Sequence, residues 1–292
     1  MLENLKTVIL LGFLSAILVI IFGFLGRVFN LGNLGILIGL FFAIVMNFVS
    51  YFYSDKIALR SYNAKIVSEE EAPNLHRIVT DLANRANIKK PRVAVIQSSD
   101  PNAFATGRNQ NHAVVAVTTG ILQLLNEDEL RGVISHEMGH IKNRDILISS
   151  VAATVAGMIV ALASWSRFAV IFASRDNDGL MDIVSTILIA ILGPIAASII
   201  QLAISRSREY KADATGAQIC GNPLALANAL RKLEFGVNQH PMNNAKSTDA
   251  HMFIINPFGN AGSKIKNLFS THPETSERIR RLEEMASTQS FN

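Results

Sequence analysis

At 292 residues the chain is long enough for one or two domains, but 49% apolar residues and a positive mean hydropathy argue against a purely water-soluble protein. The formal charge of +4 sits mainly at the flanks of apolar runs, and no basic stripe with interleaved aromatics points to a nucleic-acid surface. A single cysteine, Cys220, excludes an intrachain disulfide and implies no oxidising compartment.

Two uncharged runs open the chain. Thr7 to Gly26 is a run of 20 residues, and 27 uncharged residues lie between Arg27 and Asp55, among them Leu34 to Tyr53. A helix crossing a hydrocarbon core of about 30 Å needs ~20 apolar residues, so each run is long enough to span. The short connection from Arg27 to Asn33 makes them a hairpin. A cleaved signal peptide is the competing reading of the first run, but the run is too long and no small-x-small site follows it.

From residue 55 the pattern becomes that of a soluble fold. Pro73 to Ala86 carries Leu75, Ile78, Val79 and Leu82 at helical spacing. Arg92 to Ile96 and Ala113 to Val117 are β-rich runs bounded by Asn, Asp, Pro and Gly, which predicts strands. Between them lies Asn102-Ala103-Phe104-Ala105-Thr106-Gly107, a candidate edge segment. Asn126 is then a suitable helix N-cap with Glu129 three residues on, and Glu127, Asp128 and Glu129 suit the positive end of the helix dipole. Leu130, Val133, Ile134 and Ile141 carry this helix to about Arg144. Inside it stands His136-Glu137-Met138-Gly139-His140. Residues i and i+4 share one helix face, so both imidazoles can grip one metal ion while Glu137 projects beside its open position. That is the H-E-x-x-H arrangement of zinc-assisted peptide hydrolysis. Two surface histidines on an ordinary amphipathic helix are the plainer alternative.

Two further uncharged runs follow, 21 residues between Asp145 and Arg167 and 23 between Asp182 and Arg206. If the segments before and after them share one metal ion, the chain between must cross the membrane an even number of times, and two spans satisfy that. Buried soluble helices or a shallow hairpin are the alternative. Lys56, Arg60, Lys65, Lys142, Arg144, Arg206, Arg208 and Lys211 gather on one side of the four runs. The other side holds Arg27, Arg167 and Arg175 against Asp176, Asp178 and Asp182, which places the motif-bearing side in the cytosol.

A catalytic zinc takes three protein ligands and a water. His76, His112, His240, His251 and His272 remain, and a carboxylate serves equally. In Glu209-Tyr210-Lys211-Ala212-Asp213, positions i and i+4 again carry metal-site chemistry on a predicted helix. Glu209 can ligate while Asp213 accepts the N–H of an imidazole, His136 for preference. An exposed turn in which Glu209 pairs with Arg206 or Lys211 is the alternative. Asn222-Pro223 opens another helix. Residues 236–264 predict a loop in which Met252 to Ile255 and Pro257-Phe258 touch the membrane surface or cover the cleft. Thr271-His272-Pro273 begins a last charged helix containing Arg278, Arg280 and Arg281.

Three ordered motifs carry a resemblance over most of the chain. The run from His136 to Asp145 resembles the metal-site helix of the HtpX membrane protease family, to which the type I CAAX prenyl proteases belong more distantly. Glu209 to Asp213 resembles the E-x-x-x-D motif of zincins whose third ligand is glutamate, and Asn102 to Gly107 resembles the family's N-A-F-A-T-G edge. Where the family shows T-H-P-P, this chain has Glu274 after Pro273, which weakens a role for His272.

The resemblance implies an α+β zincin-like metalloprotease domain, mainly helical, joined to a membrane bundle of four predicted transmembrane helices. The spans fall at about 7–26, 34–53, 146–166 and 183–205, after residues 1–54 as a first pair, and the protease domain is divided between 55–145 and 206–292. One Zn²⁺ per chain is implied, held by His136, His140 and Glu209, with Glu137 as base and Asp213 behind an imidazole. Asn102, Ala103, Phe104 and Ala105 are the implied edge for an extended substrate, and Tyr210, His272 and Arg278 are candidates to face the oxyanion. The same resemblance implies a multi-pass protein of the bacterial inner membrane, its protease domain in the cytoplasm, that degrades misfolded or damaged membrane proteins in a stress response. Polypeptide substrates and the lipid bilayer are the expected partners; no P-loop pattern is present, so no nucleotide is expected, and without a basic stripe no nucleic acid is expected either. One rival is a CAAX prenyl-protein protease, against which stands the small number of spans. The other is a non-enzymatic four-span scaffold or transporter with a vestigial metal site, against which stands the intact Glu137.

Overall fold

The computed structural model describes residues 2–28, 30–152, 154, 206–239, 253–255 and 273–289. Two long helices come first, α1 (Leu2–Val28) and α2 (Leu34–Ser61). Small residues let them approach closely: a Cβ added to Gly26 would come within 2.7 Å of the Gly35 Cα, and one on Gly39 within 3.0 Å of the Leu18 carbonyl. Leu14, Leu18, Ala43 and Met46 are buried in the seam, and Asn47 donates to Ser15 Oγ across it at 2.8 Å. The outer faces are also apolar, with Val8, Ile9 and Ile20 of α1 and Leu37, Phe41 and Ile44 of α2 exposed. A helix apolar on all sides is built for a non-aqueous surrounding. Among the described residues α2 is long and apolar enough to cross a membrane, whereas the apolar stretch within α1, Leu11–Phe24, is shorter.

The last part of α2 stands on a four-stranded sheet made of β1 (Lys65–Ile66), β2 (Arg92–Ile96), β3 (Ala103–Thr106) and β4 (Val114–Thr118), in the order β1-β2-β4-β3. β2 and β4 run parallel, and the other pairs are antiparallel. Leu59 packs with Ala94, Ile96, Phe104, Val114 and Ala116 on one sheet face. The other face meets the main core, where Val115 and Val117 join Leu82 of α3 (Pro73–Ala86), Ile134 and Met138 of α5 (Glu127–Asn143) and Leu230 of α7 (Pro223–Gln239). β4 is therefore covered on both sides, which is why its sequence reads as an unbroken apolar run rather than an alternation. α4 (Thr119–Leu124), α6 (Arg206–Cys220) and α8 (Thr275–Gln289) complete the described elements.

The helices and strands read from periodicity are present, and the additions are short: β1 has two residues and α4 six, too few to show a period. Two expectations are corrected. α7 continues to Gln239, past the expected loop start at residue 236. Phe253, Ile254 and Ile255 are buried in the main core, so they neither touch a membrane surface nor cover the cleft. Their burial follows from tethers on both sides of Ile254, whose N–H bonds to Asn102 Oδ1 at 3.3 Å and whose carbonyl accepts from Arg278 at 2.7 Å. Residues 146–152 and 154 are helical; the remainder of the third uncharged run and the whole of the stretch up to 205 lie outside the described residues, as do His240, His251, Met252, Pro257, Phe258 and His272.

Candidate active site

α5 begins as its sequence dictates. Asn126 Oδ1 accepts from the Glu129 N–H and Glu129 Oε2 from the Asn126 N–H, both at 2.9 Å, a complete capping box. It ends at Arg144, whose φ of 64° turns the chain so that the Asp145 N–H reaches the His140 carbonyl at 2.9 Å. α6 lies against α5 backbone to backbone. A Cβ on Gly139 would fall 2.7 Å from the Ala212 carbonyl oxygen, and one on Gly216 would fall 2.8 Å from the His136 Cα. Glycine inside a helix costs about 0.5–1 kcal/mol, so these two need a packing reason, and the close approach supplies it. That signal was available in the sequence but does not say which helix comes close.

The approach brings the metal-site groups together. His136 Nε2 and His140 Nε2 are 3.2 Å apart, and Glu209 carboxylate oxygens lie 3.7 Å from the first and 3.6 Å from the second. Tetrahedral bonds of about 2.0–2.1 Å keep zinc ligands about 3.3 Å apart, so the two imidazoles and the carboxylate fit such an ion. His136 is 1% exposed and Glu209 is buried, which rules out surface histidines and an exposed turn. His76 bonds to the Val67 carbonyl and His112 to Asn109 and Arg108, so neither joins the cluster.

Behind the ligands lies a second set of carboxylates. His136 Nδ1 donates to Asp213 at 2.8 Å, and His140 Nδ1 faces Asp145 Oδ2 at 3.4 Å, so both Nε2 atoms are turned to the site. Asp145 was not singled out by the sequence; its signal is an acidic residue just past the helix end, where the left-handed Arg144 folds it back. Arg278 is 1% exposed and grips Asp213 with two bonds, Nε at 2.9 Å and Nη2 at 2.7 Å. Its third group is engaged by the Ile254 carbonyl. Arg278 thus sits behind His136, while the Tyr210 ring lies under the Arg281 guanidinium at 3.8 Å.

The edge segment flanks the base. Glu137 Oε2 accepts from the Ala105 N–H at 2.7 Å. In the β3–β4 register, Phe104 lies opposite Ala116, and the Ala105 N–H points away from β4 towards Glu137. Asn102 and Phe104 are buried, Asn102 holding Ile254 and Phe104 packing on Tyr62 with ring centroids 5.3 Å apart. Ala103 is buried as well, and Ala105, half-buried, turns its N–H from β4 towards α5.

Burial pushes the Glu137 carboxyl up; the two imidazoles pull it back, Glu209 adds to the rise, and the Ala105 N–H again opposes it. Burial also opposes a charge on His140, but Asp145, Glu209 and Glu137 override it and raise this imidazole to about 9. The metal-free protein therefore carries a proton on His140 at neutral pH. That proton stabilises the metal-free fold fully below pH ~6.5, and the contribution is lost as pH rises through about 9. Zinc must displace it, so calorimetry in buffers of different ionisation enthalpy is expected to show proton release on zinc binding between pH 7 and 8, fading above pH 9. Proton-independent binding at pH 7 would contradict this assignment.

Residues 69–286 match the model of Peptidase family M48. Proteins named protease HtpX homolog align over nearly the whole chain. That of Thermococcus kodakarensis is 55% identical over 277 residues, 94% of each chain. That of Pyrococcus furiosus is 54% identical over 283 residues, 96% of this chain and 95% of its own. The crystal structure of S. mikatae Ste24p is similar in fold, with a TM-score of 0.50 at 19% identity, covering 96% of this chain and 65% of that one. The family match takes in both α5 and α6, the two helices whose contact assembles the ligands, and with relatives this similar along its length the chain belongs to Peptidase family M48.

Proposed function

We propose that the chain is an integral-membrane, zinc-dependent endopeptidase. The observation that carries this reading is the convergence of His136, His140 and Glu209 beside a buried Glu137. A purely structural zinc site closes with four ligands and has no use for a neighbouring base. When bound, zinc acidifies a water and polarises the scissile carbonyl. Glu137 would take a proton from the attacking water and hand it to the leaving amine. Asp213 and Asp145 keep the ligand imidazoles oriented throughout. The edge segment from Asn102 to Ala105, which flanks Glu137, receives an extended polypeptide by strand addition in this reading, a mode that reads backbone rather than side chains and so suits broad specificity.

The apolar hairpin α1–α2 anchors the enzyme, with the runs at 146–166 and 183–205 as a second pair of spans and the active site on the cytosolic side. Substrates in this reading are misfolded or damaged membrane proteins. Support for the anchor comes from the apolar outer faces of α2, and support for proteolysis from the similar proteins named protease HtpX homolog.

Stripping the metal with a chelator is expected to abolish cleavage of an unfolded membrane polypeptide, and stoichiometric zinc to restore it. Glu209→Ala should fail to recover in the same assay and hold less zinc. Chelator-resistant cleavage would end the zinc reading. A farnesylated peptide run alongside decides the substrate: preferential cleavage of its lipidated end would transfer the chain to prenyl-protein processing.

A further inference from the structure

Where α2 leaves its apolar stretch, a cavity of about 610 Å³ opens between that helix and the sheet. Its basic lining comes from separate segments: Lys56 of α2, Lys89 and Lys90 before β2, Arg92 of β2, and Arg108 after β3. Among the described lining residues these five cations face one carboxylate, Asp55, which Arg92 engages at 2.9 Å. Lys90 is drawn to Glu69. Lys56 and Arg108 lie over rings, Tyr53 at 5.1 Å and Phe52 at 5.6 Å. Arg108 also donates to His112 Nε2 at 2.9 Å, and His112 Nδ1 lies 2.9 Å from the Asn109 side-chain oxygen. The remaining wall is aromatic, with Phe48 joining Phe52 and Tyr53.

Basic residues flank any span on its cytosolic side, and Lys56 alone would meet that need. It does not account for Lys89, Arg92 and Arg108 being folded onto the same concavity. Nor does it account for the tiers. Phe48 and Lys56 are about 12 Å apart along α2 by helical rise, enough to cross a headgroup layer of about 5–7 Å per leaflet. Aromatic side chains thus stand at acyl and interface depth and ammonium and guanidinium groups just below.

We infer that this cavity binds the phosphate-bearing headgroup of an anionic phospholipid from the cytosolic leaflet. The inference rests on the reading that α2 crosses the membrane with its C-terminal end in the cytosol. Lys89 and Arg108 supply charge-assisted hydrogen bonds to phosphate oxygens, with Lys56 as a third cation, and the acyl chains leave past Phe48 and Phe52. A headgroup held there bridges α2 to the connection between β3 and β4. It thereby sets the height of the substrate edge above the bilayer.

The test uses the full chain in detergent micelles, titrated with phosphatidylglycerol or phosphatidylcholine of identical acyl chains and read by native mass spectrometry. Phosphatidylglycerol is expected to bind on the order of tenfold tighter or more. The double variant Lys89→Glu/Arg108→Glu is expected to weaken it roughly 30-fold, about fivefold for each cation removed with a little more for reversal, and to leave phosphatidylcholine unchanged. Equal affinities for the two lipids in the wild type overturn the inference, as does a double variant that holds phosphatidylglycerol as tightly as the wild type. Full displacement by millimolar inorganic phosphate would make this a site for a free anion and overturn the lipid assignment. If the double variant does not fold, the wild-type comparison and Lys89→Gln decide. Alkaline extraction from vesicles keeps the two readings apart: release of the chain refutes the membrane span, whereas an embedded chain without lipid preference refutes this site alone.

Discussion

Glu137→Gln is expected to lower kcat by about 10²–10⁴-fold while zinc content stays at the wild-type level. The amide keeps the size of the side chain and an oxygen that accepts the Ala105 N–H, the bond Glu137 now makes at 2.7 Å. What disappears is the proton acceptor. Burial lifts the Glu137 carboxyl above the ordinary carboxylate range, closer to the pH at which one group both takes and returns a proton. Turnover of an unfolded polypeptide, with metal measured on the same preparation, checks both halves. Undiminished turnover would remove Glu137 from the chemistry; a fall in zinc alone would mean that the ligands had shifted.

Arg278→Leu is expected to destabilise the folded protein by about 3–5 kcal/mol, because it leaves the Asp213 carboxylate buried without its cation. It also strips the Ile254 carbonyl of its donor and loosens the segment that Asn102 holds from the other side. Burial would raise the Asp213 carboxyl, but the Arg278 charge and the bonds from His136 and Arg278 hold it at about 2, below its ordinary 3.8. A depressed carboxylate stabilises the fold above its unfolded value, so this contribution is complete above pH ~4 and is lost as pH falls towards 2. Arg278→Leu should weaken that acid dependence, leaving the part that the His136 bond supplies. Arg278→Lys keeps the charge but not the two-pronged grip and should fall between. Denaturant titration in detergent reads all three, and a loss below ~1 kcal/mol for Arg278→Leu would show that the pair is not buried as described.

Much of the fold was legible because its causes are local. The capping box of Asn126 and Glu129 lies within four residues of sequence, and the helix it starts carries His136 and His140 onto one face without help from the rest of the chain. The uncharged run before Asp55 likewise announces α2. The candidate ligand Glu209 was legible through its spacing to Asp213, yet an exposed turn fitted the same five letters. The edge strand was legible as a segment, but not that Asn102 and Phe104 turn inward while the Ala105 main chain meets Glu137. Phe253 to Ile255 misled for a related reason: an apolar patch in a polar loop looks alike whether it meets lipid, a cleft or a core.

Local sequence specifies the helix that holds two imidazoles and a base, its cap, and the apolar character of the first hairpin, since each depends on neighbours within a few turns. The rest of the site comes from contacts between distant segments. Arg278 and Asp213 are 65 residues apart in the chain, and Asp145 reaches His140 only through the turn at Arg144. The contact of Gly139 and Gly216 with the opposite backbone sets how near α6 can come. Such pairings depend on which surfaces fit together, and no periodicity along one segment encodes the shape of its partner.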